Sequence, residues 1–134
     1  MDRHSMLHTV QEAYAARVRG DLDGVMRAFA ANASFRINAA PAQPNLAYFT
    51  QDADALRGAL KQLIDTFVFS DLEIVDSVVE GSKLVVRVVF TVQARPTGKT
   101  VKTEVLDLFE FKDDKIVALT QFCDTAVAAQ LLVS

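Results

Sequence analysis

The stretch Val101-Lys102-Thr103-Glu104-Val105-Leu106-Asp107-Leu108-Phe109-Glu110-Phe111-Lys112 decides the fold. Alternate residues of a strand point to opposite faces, so Val101, Thr103, Val105, Asp107, Phe109 and Phe111 share one side and Lys102, Glu104, Leu106, Leu108, Glu110 and Lys112 the other. The charges gather on the second side, and Asp107 alone interrupts the first. An acid on an apolar face is drawn inward, where lost hydration disfavours its ionised form and raises its pKa. Held neutral, such a carboxyl can donate to a developing oxyanion; ionised, it can serve as a general base. It can equally be a structural anchor, satisfied by a tyrosine hydroxyl or backbone amides.

Extended patterning runs both ways from this segment, giving an antiparallel meander of 71–80, 83–95, 101–112 and 115–123, rich in β-branched and aromatic residues. Gly81-Ser82 suits a two-residue type II′ turn, Pro96-Thr97-Gly98 a longer connection, and Asp113-Asp114 a weaker turn. In 83–95, Leu84, Val86, Val88, Phe90 and Val92 line one face while Val85 and Val89 keep the other apolar. Helices can cover only one side, so a homodimer across the other is expected.

Upstream the period becomes helical. Leu7, Val10, Tyr14 and Val18 mark a first helix ended by Gly20; Asp21 caps a short second one through Leu22, Val25, Met26 and Phe29. Ala33–Asn38 alternates as a strand, with Phe35 and Ile37 on its apolar face. A loop with Pro41 and Pro44 follows, in which Tyr48 is placed to act as a lid contact. Asp52 caps a third helix whose stripe is Leu56, Leu60, Leu63, Ile64 and Phe67, ending near Ser70. A final helix begins at Thr125, with Asp124 as its N-cap. The fold class is therefore α+β: a curved antiparallel sheet wrapped around three N-terminal helices, enclosing a cavity or core.

Composition bounds the function. The chain has 134 residues, which suits a single domain spanning 1–134, and its 51% hydrophobic content argues against disorder. Fourteen basic against 17 acidic residues give a net charge of -3 with no basic block, which disfavours nucleic acid as a partner. The lone Cys123 cannot form an internal disulfide. No apolar run has the length of a membrane span or a signal core, so a cytoplasmic protein without membrane attachment is expected.

The chain also carries a resemblance. Tyr14-Ala15-Ala16 with Gly20-Asp21-Leu22-Asp23-Gly24, then Thr97-Gly98-Lys99, Asp107-Leu108-Phe109-Glu110-Phe111, Lys115-Ile116-Val117 and Gln121-Phe122-Cys123-Asp124-Thr125-Ala126 follow one order and spacing. In these motifs it resembles the SnoaL-like and ketosteroid-isomerase-like proteins of the nuclear-transport-factor-2-like superfamily. The resemblance implies a cystatin-like, cone-shaped roll. The superfamily holds isomerases, cyclases, dehydratases, epoxide hydrolases and non-enzymatic binders, so it constrains reaction type little. It places Asp107 where ketosteroid isomerases keep a protonated aspartic acid in their oxyanion hole. The isomerase base falls at Ile37 or Asn38, neither of which accepts a proton at neutral pH. The family's oxyanion tyrosine falls on Ala13, with Tyr14 one step on.

The expected site is thus Asp107 as the catalytic group, with Tyr14, Phe35, Ile37, Tyr48, Phe67, Val105 and Phe109 around a small apolar ligand. No cofactor or metal is implied. Tyr14 reads either as a core aromatic or as a cavity group. His4, His8 and Glu12 share a helical face but start at a fraying terminus and read as solvated. Arg36 and Arg87 have strand phases facing solvent or a second copy. The expected function is proton transfer on an apolar carbonyl compound, with a non-catalytic hydrophobic-ligand binder or a dimeric scaffold as alternatives.

Overall fold

An aspartate begins each helix of the described chain. The computed structural model describes residues 1–38, 49–50 and 52–133, the pair 49–50 by backbone alone. Helix α1 (Arg3–Arg19) is capped by Asp2, α2 (Leu22–Met26) by Asp21, α3 (Ala53–Thr66) by Asp52 and α4 (Thr125–Leu131) by Asp124. Each carboxylate accepts from the backbone N–H three residues on, an otherwise orphaned helical donor. Gly20 ends α1 at φ +74°, a left-handed geometry glycine adopts without strain, and α2 starts directly after it.

The strands are β1 (Phe29–Ile37), β2 (Phe49–Thr50), β3 (Phe67–Glu80), β4 (Lys83–Ala94), β5 (Thr100–Lys112) and β6 (Lys115–Cys123). They form one sheet in the order β2-β1-β6-β5-β4-β3. All neighbours are antiparallel except β1 and β6, which run parallel. That pair joins segments far apart in sequence and needs no hairpin, so direction is unconstrained by a turn. The architecture is the expected α+β roll, with a mixed rather than wholly antiparallel sheet.

Two extra residues bend β3. Its register slips between Ser70 and Glu73 and again between Ile74 and Asp76, and Asp71 takes φ +50° in the first bulge. Bulges sharpen local twist and turn a strand around what it covers. Gly81 has positive φ and Ser82 does not, as a type II′ turn requires; Asp113 and Asp114 both take positive φ, the mark of type I′.

Several element ends differ from the periodicity. Phe29 opens β1 instead of closing α2, and the helix expected to reach Ser70 stops at Thr66, with Phe67 already extended and beginning β3. In both places an apolar residue serves helix spacing and strand alternation equally well. The buried face of α1 is Met6, Val10, Ala13 and Ala16, whereas Val18 is exposed. Large side chains set the expected stripe, but the small alanines are what let α1 approach its neighbours. One face of β4, from Leu84 to Ala94, forms the core with Phe35, Leu56 and Ile116. No helix among the described residues is long and apolar enough to cross a membrane.

The α1–α2 approach is tightest at Gly24, where an added Cβ would fall 2.8 Å from Ala16 Cβ and 2.6 Å from Asp21 Oδ2. Gly24→Ala should therefore destabilise the fold by about 1–3 kcal/mol, against alanine's helix preference. Urea denaturation measures it; a more stable variant would show that the contact is slack.

Candidate active site

Strand alternation turns Asp107 inward as expected: it is 1% exposed, the only buried charged residue among those described. It stands between Val105 and Phe109 on the concave face of β5. The Tyr14 hydroxyl donates to Oδ2 of Asp107 in a short hydrogen bond that ties α1 to the middle of the sheet. The Tyr14 ring meets Phe109 edge to face, 6.3 Å between centroids. Oδ1 of Asp107 is shut off from solvent and makes no well-formed hydrogen bond. Gln121, its register partner on β6, lies alongside.

Burial raises the Asp107 carboxyl to about 6, while Tyr14 and then Gln121 pull it back by favouring the charged form. The Tyr14 hydroxyl is pushed well above its ordinary value by burial and by the adjoining carboxylate. At neutral pH the pair is therefore mainly a neutral tyrosine donating to a carboxylate of unusually high basicity.

Both residues line a cavity of about 140 Å³ between the helices and the concave sheet. Phe35, Ile37, Phe67, Val105 and Phe109 also line it, so the structure brings together every expected site residue except Tyr48, which lies outside the described residues. Asn38 is engaged elsewhere, its side-chain oxygen accepting from Cys123 N at 2.9 Å. With Ile37 on the wall and Asn38 tied to β6, no carboxylate stands at the first-strand position of the isomerase base. Cys123 is half-buried on the wall, its thiol raised by burial, then by Asp124 and Asp107.

Sequence reasoning missed Arg17 and Phe69. Arg17 follows Tyr14 by three positions, and that spacing alone places both on one face of α1. Its Nη2 donates to Phe67 O at 2.8 Å and Leu63 O at 3.2 Å, and its guanidinium lies 3.8 Å from the centre of the Phe69 ring. Burial lowers its pKa to about 10.

Other candidates lie apart from the cavity. Arg36 is exposed; Arg87 pairs with Asp76 and Glu104 at 3.0 and 2.9 Å on the outer face. His4, His8 and Glu12 are exposed, and no group of metal-ligating side chains converges among the described residues.

The SnoaL-like domain family matches residues 10–119. The chain belongs to that family. Solved structures share the SnoaL-like fold at low identity. One is an NTF2-like protein of unknown function from Burkholderia pseudomallei, 20% identical over 100% of both chains with a TM-score of 0.84. An LEH-like epoxide hydrolase from M. tuberculosis is 15% identical over 96% of this chain and 90% of its own, TM-score 0.74. TerC, co-crystallised with polyporic acid, is 14% identical over 97% and 99%, TM-score 0.82. No curated protein matches the sequence significantly.

A raised carboxyl binds its proton more tightly in the folded chain than in the unfolded one. Its contribution to stability is full below about pH 4 and is lost as pH rises through about 6. Between pH 4 and 8 the wild type should lose about 3 kcal/mol relative to Asp107→Asn, which stays neutral. Urea midpoints of both proteins across that range test this; a constant difference would mean that Asp107 is not ionised in a dry site.

Proposed function

We propose that this SnoaL-like protein is an enzyme that moves a proton on a small, apolar carbonyl compound held in the cavity, with Asp107 as the base. The observation that carries the reading is the asymmetry of the carboxylate: Oδ2 is fixed by Tyr14, and Oδ1 makes no well-formed bond. A carboxylate with pKa about 6 is mostly ionised at neutral pH, yet more basic than an exposed one. Oδ1 is covered in this structure, so a ligand reaches it by displacing the side chains that cover it, and then presents it with a C–H beside the carbonyl. The proton passes to Oδ1, the electron pair moves toward the carbonyl oxygen, and an enolate forms. In a β,γ-unsaturated compound, return of the proton from Asp107 to the γ carbon completes an isomerisation; where the enolate instead attacks a second carbonyl of the same molecule, Asp107 gives its proton to the new alkoxide and a cyclisation is complete. Tyr14 positions the base and keeps its proton demand moderate. The family's range and a neighbour described as an epoxide hydrolase support small-molecule chemistry here.

A binder that holds its ligand unchanged is the second reading, favoured by Ile37 where the isomerase family has its base. Exchange of α-hydrogen for deuterium separates the two. With one-ring ketones such as cyclohexanone and phenylacetone in D2O, the wild type should accelerate exchange with a pH profile rising through about 6. Asp107→Asn should lower the rate by about 10²–10⁴-fold and Tyr14→Phe by about tenfold. Equal exchange by wild type and Asp107→Asn leaves the binder.

We further propose that a second copy covers the outer face of the sheet. Leu106 and Phe122 are register partners there, 44% and 41% exposed, beside the ion pairs of Arg87. Sedimentation should give a dimer that Leu106→Glu with Phe122→Glu converts to monomer; a monomeric wild type at micromolar concentration overturns this.

A further inference from the structure

Arg17 lines the same cavity as Asp107 but has no part in the proton transfer. Its visible partners are the carbonyls of Leu63 on α3 and Phe67 at the start of β3, and the ring of Phe69. These hold the guanidinium in place, yet none is an anion. No carboxylate lies within ion-pair distance among the described residues; the pairs found there belong to Arg19, Arg57, Lys61 and Arg87, all at the surface. The acids that share the cavity wall are otherwise engaged: Asp107 with Tyr14, Glu104 with Arg87, and Asp124 as the cap of α4. Nε and Nη1 of Arg17 make no hydrogen bond among the described residues, and unlike Oδ1 of Asp107 they are not sealed off. With its pKa near 10 the group is cationic at neutral pH.

A half-buried cation without a counter-ion is costly, and the cost falls when an anion arrives and takes charge-assisted bonds from its unused donors. Asp107 on the same cavity wall is already anionic, so a ligand with its acid group at Arg17 presents its uncharged part to the base. We propose that Arg17 is the receptor for a carboxylate on the ligand, so that the carbonyl compound handled is a small apolar keto acid and not a neutral ketone. This deepens the proton-transfer reading and rests on it for the reaction, but not for binding. The cavity of about 140 Å³ is close to the engineered apolar cavities of about 150 Å³ that admit benzene, so a single ring is the natural probe.

Benzoate and benzamide, nearly equal in shape, make the test. Titrated into the full chain at pH 7.5 and followed by NMR, benzoate should bind at least tenfold more tightly than benzamide and shift the Arg17 Nε–H resonance. Arg17→Gln should abolish the preference, and Arg17→Lys should retain part of it. Asp107→Asn, which stops α-hydrogen exchange if the proton-transfer reading holds, should keep the preference for benzoate. Loss of exchange without loss of benzoate selectivity, or the reverse, thus tells the two claims apart. Should Arg17→Gln fail to fold because α3 loses its cap, the wild-type comparison and the Nε–H shift decide. Equal affinity for acid and amide, no saturable binding of either at 10 mM, or a preference that survives Arg17→Gln overturns the proposal.

Discussion

One hydrogen bond spans the interior: Tyr14 of α1 donates to Asp107 of β5, residues 93 positions apart. A carboxylate in an apolar site costs several kcal/mol unless something offsets it. Here the offset is partial. A charge-assisted O–H···O bond recovers some of the lost hydration, Gln121 contributes more, and the remainder appears as a pKa near 6. The arrangement fixes how α1 lies against the sheet, and it leaves a carboxylate whose proton affinity is matched to neutral pH.

The charged groups of the molecule divide into two kinds. Ion pairs such as Arg57–Asp23 and Lys61–Asp65 are exposed on both sides, where water screens them and each is worth little. Asp107 and Arg17 stand in the cavity wall instead, each held by a neutral partner. The interior therefore keeps an anion and a cation that do not cancel one another. That polarity stands in a space whose walls are otherwise mainly hydrocarbon.

Local signals in the chain were the readable ones. Period-two alternation places Asp107 inward and Lys102, Glu104 and Lys112 outward, as found, and Asp21, Asp52 and Asp124 start the helices they were expected to start. Every described residue of the expected site lies on the cavity. What escaped depends on distant parts of the chain. Phe29 and Phe67 change from helix to strand because sheet neighbours claim them. Arg17 looks like a solvated helical residue until Leu63 and Phe67, 46 and 50 positions away, supply its acceptors. The resemblance places its tyrosine at Ala13, whereas the hydroxyl that meets Asp107 comes from Tyr14, one residue on; both positions line the cavity.

The parallel alignment of β1 with β6 has a consequence for how the chain folds. On the β6 side, Phe35 and Ile37 find their ladder partners in Leu119 and Gln121, far along the chain. The hairpins between Phe67 and Cys123 can close one after another with short loops, whereas the pairing of β1 with β6 must bring together segments far apart in sequence. Assembly therefore finishes at this seam. Until β1 and β6 meet the cavity lacks part of its wall, so the pocket is completed only with the last pairing of the sheet.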